Sequence, residues 1–138
     1  MSNNPYQQYK NVQYETAGQE QLLLMMYESA IKFCRQACAG LEKNELEYAN
    51  NKLQRVQAII DELIISLDME RGGGLAQNLF TLYEYIKYSL IKANLRKDPA
   101  IINEVLVILQ ELNESWEQVI NMSNRDKIQY VGGLNVEG

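Results

Sequence analysis

No histidine occurs among the 138 residues. Di-iron bundles pair glutamates with histidines, and haem bundles usually need an axial histidine. Helical phosphotransfer domains carry phosphate on histidine, and Ser-His-Asp or Cys-His nucleophile systems lose their base without it. Cysteine is scarce as well. Cys34 and Cys38 stand one helical turn apart, where a disulfide is hard to close. No other thiol or imidazole exists to complete a zinc site. Both are expected to be small buried hydrophobes in a reducing compartment. No basic run exceeds two residues, and thirteen Lys and Arg face eighteen Asp and Glu for a net charge of −5. A nucleic-acid binder needs a concentrated positive patch, so that class is set aside. No apolar run approaches the ~20 residues that span a membrane. The first twenty residues also lack the apolar segment of a secretory leader, so the expected location is the cytoplasm.

Two further absences bear on chemistry. Gly72-Gly73-Gly74 is followed by Leu75-Ala76-Gln77, not by the Gly-Lys-Ser or Gly-Lys-Thr of a phosphate-binding loop. A turn between helices explains it better. Glu42, Glu45 and Glu47 fall in a polar junction, and Glu111, Glu114 and Glu117 on a solvated face, so no acid/base pair is assigned. The expectation is a protein without catalytic residues, metal or cofactor.

Hydrophobic residues make up 46% of the chain and prolines number only two, which favours folded helices. Residues 1–17 are polar with interspersed tyrosines and read as an N-terminal arm. The first helix is predicted from Gly18 to Gly40, on a ladder of Leu23, Tyr27, Ala30, Cys34, Ala37 and Leu41. Asn44 is the predicted N-cap of the second helix, whose ladder is Leu46, Ala49, Leu53, Val56, Ile60, Leu63 and Leu67. The third carries Leu75, Leu79, Leu82, Ile86, Ser89 and Ala93, flanked by Phe80, Tyr83, Tyr85, Tyr88 and Leu90. Asp98-Pro99 is a strong helix start. The fourth ladder follows with Ile102, Val105, Leu109, Leu112, Trp116 and Val119. Residues 123–138 read as a flexible tail. Four amphipathic segments with short connections predict an all-α fold: an antiparallel four-helix bundle over 18–122, with the arm before it and the tail after.

Surplus apolar surface remains. Met25, Ala58, Ile65, Ile91 and Val107 fall on positions opposite the seams. Their number suggests cover by a partner, by the arm or by a second copy in a homodimer.

The segment from Leu67-Asp68-Met69-Glu70-Arg71-Gly72-Gly73 through Asn78-Leu79 to Leu82-Tyr83 and Tyr85 resembles the signature of the flagellar secretion chaperones, the FliS family. Asn4-Pro5-Tyr6 with Tyr9, Leu22 through Ile31, Ala93 through Asp98, and Trp116 agree in order, so the resemblance covers roughly residues 4–120. It departs at Thr16-Ala17-Gly18-Gln19, where relatives often show Thr-Ala-Ser-Pro. The lost cap is expected to weaken the first helix start by about 0.5–1 kcal/mol. The resemblance implies a non-enzymatic four-helix bundle that uses no nucleotide or metal. Its expected partner is the disordered C-terminal segment of flagellin, which it keeps from polymerising and delivers to the export apparatus. Other flagellar proteins are further partner candidates. Amphipathic helices of that segment would lie in apolar grooves. The expected contacts are Tyr6, Tyr9, Val12 and Tyr14 of the arm, Met25 on the first helix, and Ile65, Asn78, Tyr85 and Ile91 on the second and third. The rival reading is a self-associating regulatory or scaffolding bundle using the same outward residues.

Overall fold

The computed structural model describes the backbone of residues 5–131 and the side chains of residues 18–122. Four helices follow in order: α1 Pro5–Glu42, α2 Leu46–Ile65, α3 Gly73–Arg96 and α4 Pro99–Val131. The fold is all-α, with no strand among the described residues. The chain divides into two compact units, Met26–Glu111 and a second made of Met1–Met25 with Leu112–Gly138.

The Met26–Glu111 unit holds the core. Tyr27, Ala30, Cys34 and Ala37 of α1 are buried. So are Ala49, Leu53, Val56, Ile60 and Leu63 of α2, and Ile102, Val105 and Leu109 of α4. On α3 the buried stripe is Ala76, Leu79, Tyr83, Ile86, Leu90 and Ala93, with Ser89 beside it. This corrects the expected α3 ladder at two places. Leu75 is exposed, Leu82 only half-buried, and their neighbours Ala76 and Tyr83 take the inward places. Leu46, in the first turn of α2, is also exposed. The Tyr27 and Tyr83 hydroxyls hydrogen-bond each other inside the core.

In the other unit, Leu23, Leu24, Leu112 and Trp116 are half-buried. Leu22, Met25, Val119 and Met122 are exposed. The buried ladder of α4 therefore ends before Val119.

Helix limits differ from expectation at three points. α1 begins at Pro5 rather than near Gly18. Proline is tolerated at the first helical position, where its missing N–H is not needed, and no glycine or further proline interrupts residues 6–17. Gly18 thus lies inside the helix, and the departure at Thr16 to Gln19 is not at a helix start. α4 runs on to Val131, past the expected limit near Met122. Asn44 does not cap α2: its φ is 59°, and α2 follows Glu45 without a side-chain cap. Instead Glu45 N donates to Gly40 O at 2.7 Å and Asn44 N to Leu41 O at 3.0 Å. These two bonds close the C-terminus of α1 as a Schellman motif, with Asn44 in the left-handed position that asparagine tolerates.

α3 ends the same way. Lys97 takes φ 53° and Asp98 N donates to Ala93 O at 3.1 Å. Asp98 then caps α4 as expected, its Oδ1 accepting from Ala100 N at 2.9 Å.

The turn from α2 to α3 is built on Asp68. Its carboxylate accepts Arg71 N at 3.0 Å and its carbonyl accepts Gly72 N at 2.8 Å. A Cβ on Gly72 would stand 2.5 Å from Ala76 Cβ and 2.7 Å from Asp68 O. Gly73 has φ +55°, the left-handed region where a side chain costs roughly 1–2 kcal/mol. Gly72→Ala is therefore expected to destabilise by about 1–3 kcal/mol and Gly73→Ala by roughly 1–2 kcal/mol. Gly74→Ala, with open space beside it, should not destabilise. Urea midpoints at unchanged m-value read all three. An unchanged Gly72→Ala midpoint would contradict this turn.

Burial pushes the Cys34 thiol up to about 12, helped by neighbouring Cys38. The Tyr83 phenol is pushed well above its usual range by burial, by Tyr27 beside it and by their hydrogen bond. Both folded values are raised, so their stabilisation is complete below the unfolded values of 9.0 and 10.0. As pH rises further, the unfolded chain loses these protons first and stability falls. With no histidine, the urea midpoint should be flat between about pH 6 and 8. Above pH 9 it should fall, as the unfolding free energy drops by up to about 1.4 kcal/mol per pH unit for each group. A midpoint that holds from pH 9 to 11 would show both groups to be accessible.

Candidate partner-binding surface

α2 and α3 run antiparallel, and two polar contacts mark which flanks meet. Lys87 Nζ lies 2.8 Å from Asp61 Oδ1, a contact that raises the lysine pKa. Further along, Asn94 Nδ2 donates to Asn50 Oδ1 at 2.6 Å and Lys97 Nζ to Asn94 Oδ1 at 2.6 Å. The left-handed turn at Lys97 brings that ammonium back over the end of α3. A cavity of about 420 Å³ opens here, lined by Asn50, Gln54, Gln57, Ile91, Asn94, Leu95 and Lys97.

Helical geometry then places the expected contacts. Ile65 stands one turn beyond Asp61 on α2, and Ile91 one turn beyond Lys87 on α3. In an antiparallel pair these steps run in opposite directions, so the two isoleucines bracket the ion pair along one groove. Their separation along it is about 12 Å at ~1.5 Å per residue. Ile65 is 74% exposed and Ile91 42%. A peptide helix presents side chains at that spacing from positions two turns apart.

Asn78 and Tyr85 are exposed as well, but they do not join this groove. They lie seven residues apart on one flank of α3, about 160–180° around the axis from Lys87 at ~100° per residue. Met25 is exposed in the other unit. The side chains of Tyr6, Tyr9, Val12 and Tyr14 lie outside the described residues. Helical geometry thus sets Ile65 and Ile91 on either side of the ion pair, only Ile91 of the two lining the cavity, and sets Asn78 with Tyr85 on a second face.

Sequence reasoning missed three apolar side chains. Leu95 is 81% exposed and lines the cavity. Its position four residues after Ile91 could have marked it. Tyr88 and Leu75 are also largely exposed. Tyr88 stands one turn before Lys92 and seven residues before Leu95, on the outermost line of α3. Ala58 and Val107 are exposed as expected.

The surface offers contact area rather than reactive groups. Among the described residues no three His, Cys, Asp or Glu side chains gather as a metal site, and no helix is long and apolar enough to cross a membrane. Cys34 is buried, whereas Cys38 is only half-buried, against the expectation for the pair. Burial and then Glu42 push the Cys38 thiol above its usual range, away from the nucleophilic thiolate.

Comparison with known proteins adds an independent line. The family model described as Flagellar protein FliS matches residues 2–123. The Flagellar secretion chaperone FliS of Bacillus subtilis is 31% identical over 124 residues, 90% of this chain and 92% of that protein. That of Campylobacter jejuni is 34% identical over 88% of this chain and 95% of its own length. That of Salmonella typhimurium is 35% identical over 75% and 78%. A crystal structure of a bacterial flagellar chaperone superposes with a TM-score of 0.69 over 74% of this chain and 83% of that one, at 20% identity, a likeness of fold.

Proposed function

The chain belongs to the FliS family of flagellar secretion chaperones, whose members are chaperones and not enzymes, and from that premise we propose that it holds the C-terminal segment of flagellin before export. In this reading it acts in the cytoplasm, keeps flagellin from polymerising early and presents it to the flagellar type III export apparatus.

The observation that carries the reading is the α2–α3 groove. Ile65 and Ile91 stand exposed on either side of an ion pair, with Leu95 beyond them. A segment that is disordered alone and helical when ordered needs successive apolar anchors. It also needs many modest contacts, because ordering it costs free energy. Asn78 and Tyr85 on the opposite flank of α3, Met25 on α1, and Tyr6, Tyr9, Val12 and Tyr14 are further contact residues in this proposal. Methionine suits it because the side chain repacks readily, and Met25 and Met69 are both exposed.

Calorimetric titration with the C-terminal ~40 residues of the flagellin from the same genome tests the reading. That length supplies the large buried area of coupled folding and binding. Saturable one-to-one binding, a negative heat-capacity change and a gain in peptide helicity are expected. No binding by folded protein to soluble peptide would reject flagellin as the client and favour the self-associating bundle, which light scattering would then reveal.

A further inference from the structure

A second surface, on the α1–α2 side of the same unit, has the opposite chemistry. Lys32 Nζ, Lys52 Nζ and Arg55 Cζ lie 5.9, 5.3 and 5.2 Å from the centre of one ring, that of Phe33. Lys52 is also 5.2 Å from the Tyr48 ring. Tyr48, Lys52 and Arg55 step along one flank of α2 at four and three residues, away from the flank that carries Asp61 and Ile65. Lys32 and Arg55 are exposed, and Phe33 and Lys52 half-buried.

Three positive charges around one ring is unusual in a chain of net charge −5. Among the described residues none of the three forms an ion pair with a carboxylate; the pairs present are Arg71–Asp68 and Lys87–Asp61. The ring face attracts each cation, the cations repel one another, and an anion placed among them would gain from all three at once. We propose that this face of α1 and α2 docks an acidic peptide segment, its carboxylates on Lys32, Lys52 and Arg55 and an apolar side chain against Phe33 and Tyr48. Peptide carboxylates match short, clustered donors, and the Arg55 fork can hold one in bidentate fashion. A nucleic acid is disfavoured because it needs a longer basic track and meets the repulsion of a net acidic protein. An anionic membrane is disfavoured because the ring is half-buried between cations instead of protruding for insertion. The site is distinct from the α2–α3 groove, and the proposal does not depend on flagellin being the client.

The test uses the full chain and a fluorescently labelled peptide of glutamates interspersed with leucine and phenylalanine. Its counterpart carries glutamine at every glutamate. The acidic peptide should bind, weaken at least tenfold in about 0.5 M salt, and be lost in the Lys32→Glu, Arg55→Glu double variant. Binding should persist in Ile65→Asp, which leaves this face intact. Lys32→Gln with Arg55→Gln serves if charge reversal impairs folding, and should weaken binding at least tenfold. Equal binding of the glutamine peptide, or full binding by the double variants, overturns the proposal. So does a failure of the acidic peptide to bind while phosphatidylserine vesicles or an oligonucleotide bind in a Lys32- and Arg55-dependent way.

Discussion

Replacing Tyr83 with alanine is expected to lower the unfolding free energy by about 3–5 kcal/mol. Tyr83 is 1% exposed and, with Tyr27, among the largest fully buried side chains. Truncation would leave a ring-sized void that the surrounding helices can only partly fill, and such voids add a cavity cost to the lost transfer energy. The polar part can be separated. Tyr83→Phe keeps the ring but deprives Tyr27 of this hydroxyl partner, at a cost of about 1–3 kcal/mol. In a cycle with Tyr27→Phe the coupling between the two hydroxyls should be about 1 kcal/mol. Urea unfolding followed by circular dichroism measures all four proteins. A loss under about 1 kcal/mol for Tyr83→Ala, below the range for truncating a buried aromatic, would place Tyr83 outside the core.

Combining Ile65→Asp with Ile91→Asp should weaken binding of the flagellin C-terminal segment by about a hundredfold or more, as central apolar anchors each contribute roughly 1–3 kcal/mol. An aspartate at either place desolvates against an apolar ligand without compensation. Melting should change little, because both side chains already face solvent. Tyr85→Ala should weaken binding by about tenfold, the weight of a single rim aromatic, because a long unfolded segment can reach the second face of α3. Wild-type affinity in the double aspartate variant, with helicity intact, would remove the α2–α3 groove from the site. Lost helicity would mean that the isoleucines support the fold.

The middle of the α2 ladder was legible because its seam repeats at threes and fours, and Ala49 through Leu63 are buried as that spacing requires; its ends were not, since Leu46 is exposed and Leu67 lies past the end of the helix at Ile65. α3 was harder. Leucines at 75, 79 and 82 and tyrosines at 83 and 85 permit two phases, and three glycines before them give no cap to choose between them. The observed phase buries Tyr83, where Tyr27 satisfies its hydroxyl, a pairing 56 residues apart that no local pattern announces. Asn44 was misread for a related reason. Asparagine serves both at a helix start and in a left-handed helix end, and only the bonds to Gly40 and Leu41 decide. At the candidate surface, exposure followed from periodicity for Ile65 and Ile91. Which flank of α3 faces α2 did not, because the buried stripe around Tyr83 sets it, and Asp61–Lys87 and Asn50–Asn94 only mark the outcome. Charge counting also hid the Phe33 cluster. Its cations come from two helices and never form a run.

The tight junctions at Asn44, Asp68 to Gly72 and Lys97 have a consequence in time. Each helix meets its successor after only a few residues, so little loop entropy is spent before neighbours pack. Chains of this topology fold in microseconds to milliseconds, while ribosomes add about 5–20 residues each second. A newly released copy is therefore folded almost at once, so that the pace of its synthesis, and not of its folding, sets when it can act.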